Sequence, residues 1–433
     1  MMSSRADALR ETETEAGEQA GLYIHIPFCV KKCRYCAFLS GPADDGAIRE
    51  YVEALKMELR SYSMDDRVFD SIYFGGGTPS ILEPAVIGEL IELARESYRF
   101  TDEPEITLEV NPGTLGDDEA AVRDRFAGYR AAGVNRISMG VQSMDNKRLM
   151  FLGRIHSAEE VARDFALARD CGFANISLDL ITAVPGMSLS DALSDIRAVA
   201  ALGPDHISMY TLQLEEDTPL YRAWERGEFE ILSDEADREM YREGVKLLKD
   251  LGYERYEISS FARGKSKRSR HNSKYWCMAE YLGTGLGASG FLAGTRYINT
   301  SDMTEYIAGN WRCEEHVNSM HDNISEAVFT GLRRSEGVTF AEVMRFAGEA
   351  SGLQDAEGSF TANGPDFAQS ISKANGLTAR GLTTAELFWN YYKDIKSELL
   401  EFERDGYIII DEKGMKLTDP GVDISNTIMA LFV

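Results

Sequence analysis

Cys29, Cys33 and Cys36 fall within eight residues, directly after an alternating apolar run, Leu22 to Ile26, that Pro27 brings to an end. A strand that delivers three thiols to one loop narrows what the chain can be. Crowded thiolates repel one another unless a metal neutralises them. Zinc ordinarily takes four nitrogen or sulfur ligands, commonly as two separated pairs, whereas an iron–sulfur cube accepts thiolates from a wrapping loop; with three, one iron stays open. Free thiols and a partial zinc site are the other readings of the same residues. Cysteines clustered as ligands rather than spread as pairs argue for a reducing compartment and a cytoplasmic protein. Cys171, Cys277 and Cys313 read as small buried hydrophobes.

Beyond that loop, β-like runs alternate with amphipathic segments as far as Tyr210, the pattern of repeated parallel βα units. Strands are predicted at Leu22–Ile26, Ser71–Phe74, Glu105–Val110, Asn135–Met139, Asn175–Leu180 and His206–Met209. Helices are predicted at Ala47–Ser61, Pro84–Tyr98, Asp118–Ala132, Ala158–Cys171 and Leu189–Leu202, with Pro84 and Asp118 placed as helix starts. The 433 residues leave room for a second domain. No apolar run is long enough to span a bilayer. Residues 1–20 carry neither a signal peptide's apolar core nor a transit peptide's basic pattern and read as a disordered acidic tail. A net charge of −25 excludes general nucleic-acid binding, which needs a basic face. The local exception is Arg263, Lys265, Lys267, Arg268 and Arg270.

Function in parallel βα folds gathers at the carboxyl ends of the strands. Gly75-Gly76-Gly77-Thr78-Pro79 follows the second strand, a run whose bare backbone lets a small charged ligand come close. Glu109 ends the third strand, Gln142 and then Arg154 follow the fourth, Asp179 interrupts the apolar fifth, and Tyr210 and Gln213 close the sixth. Each has a structural explanation taken alone; polar groups recurring at five strand ends do not read as chance.

The Cys-x-x-x-Cys-x-x-Cys loop, with Tyr35 just before its last cysteine, resembles that of the radical S-adenosylmethionine (radical SAM) enzymes. The resemblance implies an α/β fold, a partial (β/α)6 TIM-like barrel over residues 21–262. It also implies a [4Fe-4S] cluster held by Cys29, Cys33 and Cys36. SAM would chelate the open iron and be cleaved to a deoxyadenosyl radical. Tyr23, Tyr35, Gly76, Gly77, Thr78, Glu109, Gln142, Arg154 and Asp179 would hold it, with the glycine run at its amino group and Glu109 at the ribose hydroxyls.

A connecting segment is expected at residues 263–300, and it contains Arg270-His271-Asn272-Ser273-Lys274-Tyr275-Trp276. This His-Asn-x-x-Tyr-Trp pattern resembles the haem chaperones of the HemW type, close to the oxygen-independent coproporphyrinogen III oxidases. Those oxidases commonly carry a further cysteine where this chain has Phe38. The resemblance implies haem as a further cofactor, with His271 as its ligand and the five cations upstream as propionate partners. Recipients would be haem proteins, including membrane respiratory enzymes. Oxidative decarboxylation of coproporphyrinogen III is the alternative.

Gly283 to Gly290 fits a dinucleotide fingerprint only loosely and is read as a turn against the barrel edge. Residues 301–433 are expected to form a mostly helical C-terminal domain ending in a winged-helix-like hairpin around Tyr407–Thr418, with a flexible insertion at 351–380.

Overall fold

Ala20–Ile26 (β1) alternates strictly: Leu22, Ile24 and Ile26 are fully buried on one face, while Gly21, Tyr23 and His25 face the other way. The same period recurs through Val68–Gly76 (β2), Arg99–Val110 (β3), Arg136–Gln142 (β4), Ile176–Thr182 (β5) and His206–Thr211 (β6), all parallel and adjacent in chain order. Helices Asp45–Ser61 (α1), Pro84–Ser97 (α2), Glu119–Ala131 (α3), Asn146–Leu152 (α4), Ala158–Asp170 (α5) and Leu189–Ala201 (α6) alternate with the strands. Side chains such as Leu55, Leu90, Val122, Val161 and Ile196 join the apolar strand faces in one core, each contributing roughly 1.5–3 kcal/mol by burial. The start signals are met in place. Asp44 caps α1, Pro84 opens α2, Asp118 caps α3, and Ser157 and Ser188 form capping boxes for α5 and α6.

This computed structural model describes residues 19–64, 66–116, 118–350 and 383–433. The expected tail, except its last two residues, and the expected insertion at 351–380 lie outside them.

The barrel stays open. Helices Pro219–Glu225 (α7) and Asp234–Asp250 (α8) lead to Glu254–Arg255 (β7) and Ser260–Ala262 (β8), which pair antiparallel on the β6 edge. Helix Arg270–Trp276 (α9) then crosses to the opposite edge, where Tyr281–Thr284 (β9) runs parallel to β1 from Gly21 to Ile24. Ser289–Leu292 (β10), Thr295–Asn299 (β11) and Arg312–Val317 (β12) continue the sheet antiparallel, past the boundary expected at residue 300. The glycine run is therefore strand, tight turn and strand. Backbone crowding at Gly283 and a left-handed φ of 103° at Gly285 explain two of its glycines.

A second core lies under the C-terminal helices and a small sheet of Val338–Thr339 (β13), Ile408–Ile410 (β14) and Gly414–Leu417 (β15). Helices capped by a hairpin give the winged-helix-like end. Its core also takes Met278, Tyr281 and Phe291 and packs on Tyr275, so α9 and β9 belong to both halves of the molecule.

Candidate functional site

The loop after β1 is clamped at its ends, with Cys29 N donating to Gly41 O (2.9 Å) and Gly41 N to Pro27 O (3.0 Å). Between the clamps Val30, Lys31, Lys32, Phe38 and Leu39 are exposed, while Cys29 is buried and Cys33 and Cys36 are half-buried free thiols. Burial pushes the Cys36 thiol up, with Cys33 and Cys29 adding to it, so the three sulfurs share one neighbourhood. Among the described residues no three His, Cys, Asp or Glu side chains converge as they would on a single ion. Three thiols on one wrapping loop are a donor set that a cube accepts, each thiolate taking a different iron.

A closed ring of hydrogen bonds ties the loop to three strand ends. Thr78 Oγ1 donates to Cys29 Sγ (3.4 Å) and accepts from Asn111 Nδ2 (2.7 Å). Asn111 Oδ1 accepts from Arg154 Nη2 (2.6 Å), which also donates to Gly140 O (2.6 Å), and Arg154 Nη1 reaches Cys33 Sγ at 3.4 Å. Tyr35 bonds Arg154 as well. Gly76 and Gly77 are required here by space. A Cβ on Gly76 would meet the His25 ring at 2.4 Å and one on Gly77 the Phe28 carbonyl at 2.5 Å. Gln142 sits on a bulge of β4 with φ at 66°, a strained left-handed conformation, and its Nε2 lies 2.9 Å from where a Gly140 Cβ would stand, beside Arg154.

Glu109 forms a second node. Its Oε1 accepts from Tyr73 OH (2.8 Å) and lies 3.2 Å from where a Gly75 Cβ would stand. Burial pushes its carboxyl up to about 7, and the nearby Asp179 adds to the shift. Asp179, also raised by burial, accepts from Ser138 and Ser177 Oγ (3.2 and 3.3 Å). Tyr23 OH bonds His25 Nδ1 (3.0 Å) and its ring stacks on Tyr73. Beneath the two acids lies Arg136, 1% exposed, whose Nε and Nη1 meet no acceptor among the described residues.

A carboxyl whose folded pKa is raised contributes stability that is complete below its ordinary value near 4.5 and lost as pH rises through 7. Glu109→Gln keeps the acceptor for Tyr73 and removes the charge. Its melting temperature should match that of the wild type near pH 5 and exceed it at pH 8 by roughly 2–5 °C. Equal melting at both pH values would show that Glu109 is ionised without cost.

His271 lies below the two acids, its ring stacked on Tyr73 with centres 5.1 Å apart. It lies toward the starts of the strands, beside Gly21 and Ser71, at the end of the barrel opposite the cysteine loop. Its ring is fully buried, with Nδ1 bonded to Ser71 Oγ (3.0 Å) and Nε2 to Tyr275 OH (2.9 Å). Burial, then Lys274, holds it neutral with a pKa lowered to about 3. Both ring nitrogens are thus hydrogen-bonded within the protein. The expected propionate partners are also engaged. Lys267 pairs with Asp205 and Arg268 with Glu336, Arg270 donates to Asp70 O and Glu103 O, and Arg263 lies over Tyr253.

Asn111, Tyr73, His25 and Arg136 complete the site without having been singled out in the sequence. Tyr73 and His25 could have been found by period two, since they share the inward face with Gly75 and Tyr23.

The profile of the radical SAM superfamily matches residues 23–199. The chain is 36% identical over 319 residues to "Heme chaperone HemW" of Lactococcus lactis, covering 73% of this chain and 82% of that protein. It is likewise 36% identical over 340 residues to "Heme chaperone HemW" of Haemophilus influenzae, covering 76% and 86%. Among solved structures it is similar to coproporphyrinogen III oxidase (HemN) from Escherichia coli, with a TM-score of 0.74 over 99% of this chain and 93% of the other. Their sequence identity is 22%, so this likeness speaks for the fold alone.

Proposed function

From its membership of the radical SAM superfamily, within the HemW family of haem chaperones, we propose that this chain binds haem and hands it to recipient haem proteins. The observation that carries the reading is identity above one third to two chaperones over more than four fifths of their length. Phe38, 68% exposed where the related oxidases carry a cysteine, supports it.

The reading includes a [4Fe-4S] cluster on Cys29, Cys33 and Cys36, and SAM. When bound, the pair can supply one-electron cleavage of SAM. The protein's own part is to position: Arg154 and Asn111 brace the loop through Thr78, and the glycine turn leaves backbone open to the ligand. Gln142 offers a donor and an acceptor, Glu109 a two-oxygen acceptor suited to ribose hydroxyls, and Asp179, Tyr23 and Tyr35 the walls. The proposal places the protein in the cytoplasm, with membrane respiratory enzymes among its recipients. Six free cysteines support a reducing compartment, and no described helix is long and apolar enough to cross a membrane.

Retention of Gly76, Thr78, Glu109, Gln142 and Arg154 around the cysteine loop favours a second reading, oxidation of coproporphyrinogen III. One experiment separates the two. Anaerobically reconstituted protein is titrated with haem by absorbance, and a parallel sample receives coproporphyrinogen III, SAM and a reductant. Saturable haem binding without decarboxylated product is expected. Product formation with deoxyadenosine release would make the protein an oxidase.

A further inference from the structure

The His-Asn-x-x-Tyr-Trp helix closes the floor of the barrel and touches both cores of the molecule. Glu105 accepts from the backbone N–H of Arg270 and His271 (3.1 and 3.0 Å), and Lys274 forms a buried pair with Asp70 at 2.7 Å. On its far side Tyr275 stands edge-on to Tyr281, 4.7 Å between ring centres, within the core of the C-terminal half. Trp276 lies under Arg333 (4.3 Å), and Arg334 bonds Cys277 Sγ and Glu342.

From this helix an unbroken line of contacts runs up the lumen. Tyr275 OH bonds His271 Nε2, and His271 bonds Ser71 through Nδ1. The His271 ring stacks on Tyr73 with centres 5.1 Å apart and 30° between planes. Tyr73 then donates to Glu109 Oε1 at 2.8 Å. Tyr23 flanks both rings, 6.2 Å from Tyr73 and 6.3 Å from His271. Two side-chain torsions place a tyrosine's hydroxyl, and here the ring is held by His271 and Tyr23, so the position from which Tyr73 donates to Glu109 is set from below.

We infer that His271 is a positioning residue for SAM, holding Glu109 in place through Tyr73, and that Tyr275 ties this support to the C-terminal half. The inference rests on the reading that Glu109 meets SAM. It gives the motif a role at the cofactor site rather than at a haem iron.

Isothermal titration of SAM into the reconstituted full chain tests it. Tyr73→Phe keeps the stacked ring and removes the hydrogen bond; Tyr275→Phe keeps the packing on Tyr281 and frees His271 Nε2. Each should weaken SAM binding about two- to tenfold, the loss of one hydrogen bond, with cluster iron and melting temperature near the wild type. The double variant should lose no more than the larger single loss, because both cut one path. His271→Ala should weaken SAM binding and leave haem affinity unchanged. Wild-type SAM affinity in Tyr73→Phe and Tyr275→Phe, while Glu109→Gln is impaired, would overturn the line of support and leave Glu109 standing. Wild-type affinity in Glu109→Gln would remove the reading beneath it, and the inference with it. Loss of haem binding in His271→Ala with SAM binding intact would return the histidine to haem.

Discussion

Cys33→Ala is expected to abolish cluster assembly while the fold survives. Two of three ligands cannot hold a cube whose other corner must stay open for SAM, so iron and sulfide uptake after anaerobic reconstitution should fall on the order of tenfold, with the brown absorbance. The polypeptide has little at stake at this position. Cys33 is half-buried, and its loop is fixed by backbone bonds that do not involve the thiol: Cys29 N to Gly41 O, Arg34 N to Leu152 O, and Leu220 N to Arg34 O. Arg154, which loses its contact with Cys33 Sγ, keeps Asn111 and Gly140 O. The unloaded variant should therefore melt close to the unloaded wild type, within about 0.5 kcal/mol. A reconstituted Cys33→Ala with a full complement of cluster iron would refute the ligand set.

The six parallel strands were legible because each carries its own signal. Apolar residues alternate with inward polar ones, as in Leu22, Ile24 and Ile26 against Tyr23 and His25, and Pro or Asp marks the helix that follows. The cluster loop and the glycine turn were legible for the same local reason. What escaped reading is what depends on closure in space. β9 to β12 are short, and β9 acquires its partner β1 from 260 residues upstream, which no local period announces. Asn111 carries no signal of its own in the sequence; its place in the ring depends on Thr78 and Arg154 arriving from two other strand ends. His271 shows the converse. A histidine beside cations reads as a metal or anion site, and only the fold shows Ser71 and Tyr275 at its ring and Asp205 and Glu336 at Lys267 and Arg268.

Asp70→Ala should destabilise the protein by about 3–5 kcal/mol, the cost of leaving a buried charge without its partner. Lys274 and Asp70 are 1% and 3% exposed, with Nζ and Oδ1 2.7 Å apart. The contact is a charged one, and Nζ also donates a hydrogen bond to Gln19 O at 2.7 Å. Burial already lowers the Lys274 pKa, with Asp70 opposing that shift. Without Asp70 the ammonium either ionises in an apolar floor or gives up its proton, and either outcome loosens α9 from β1 and β2. Asp70→Asn with Lys274→Met removes both charges at similar volume and should recover most of the loss, since the attraction within a buried pair rarely exceeds what desolvation costs. Denaturant unfolding of the three proteins reads the difference. If Asp70→Ala unfolds with the wild type, the floor is held by Tyr275 against the C-terminal core, and the ion pair merely fills space that packing has already secured.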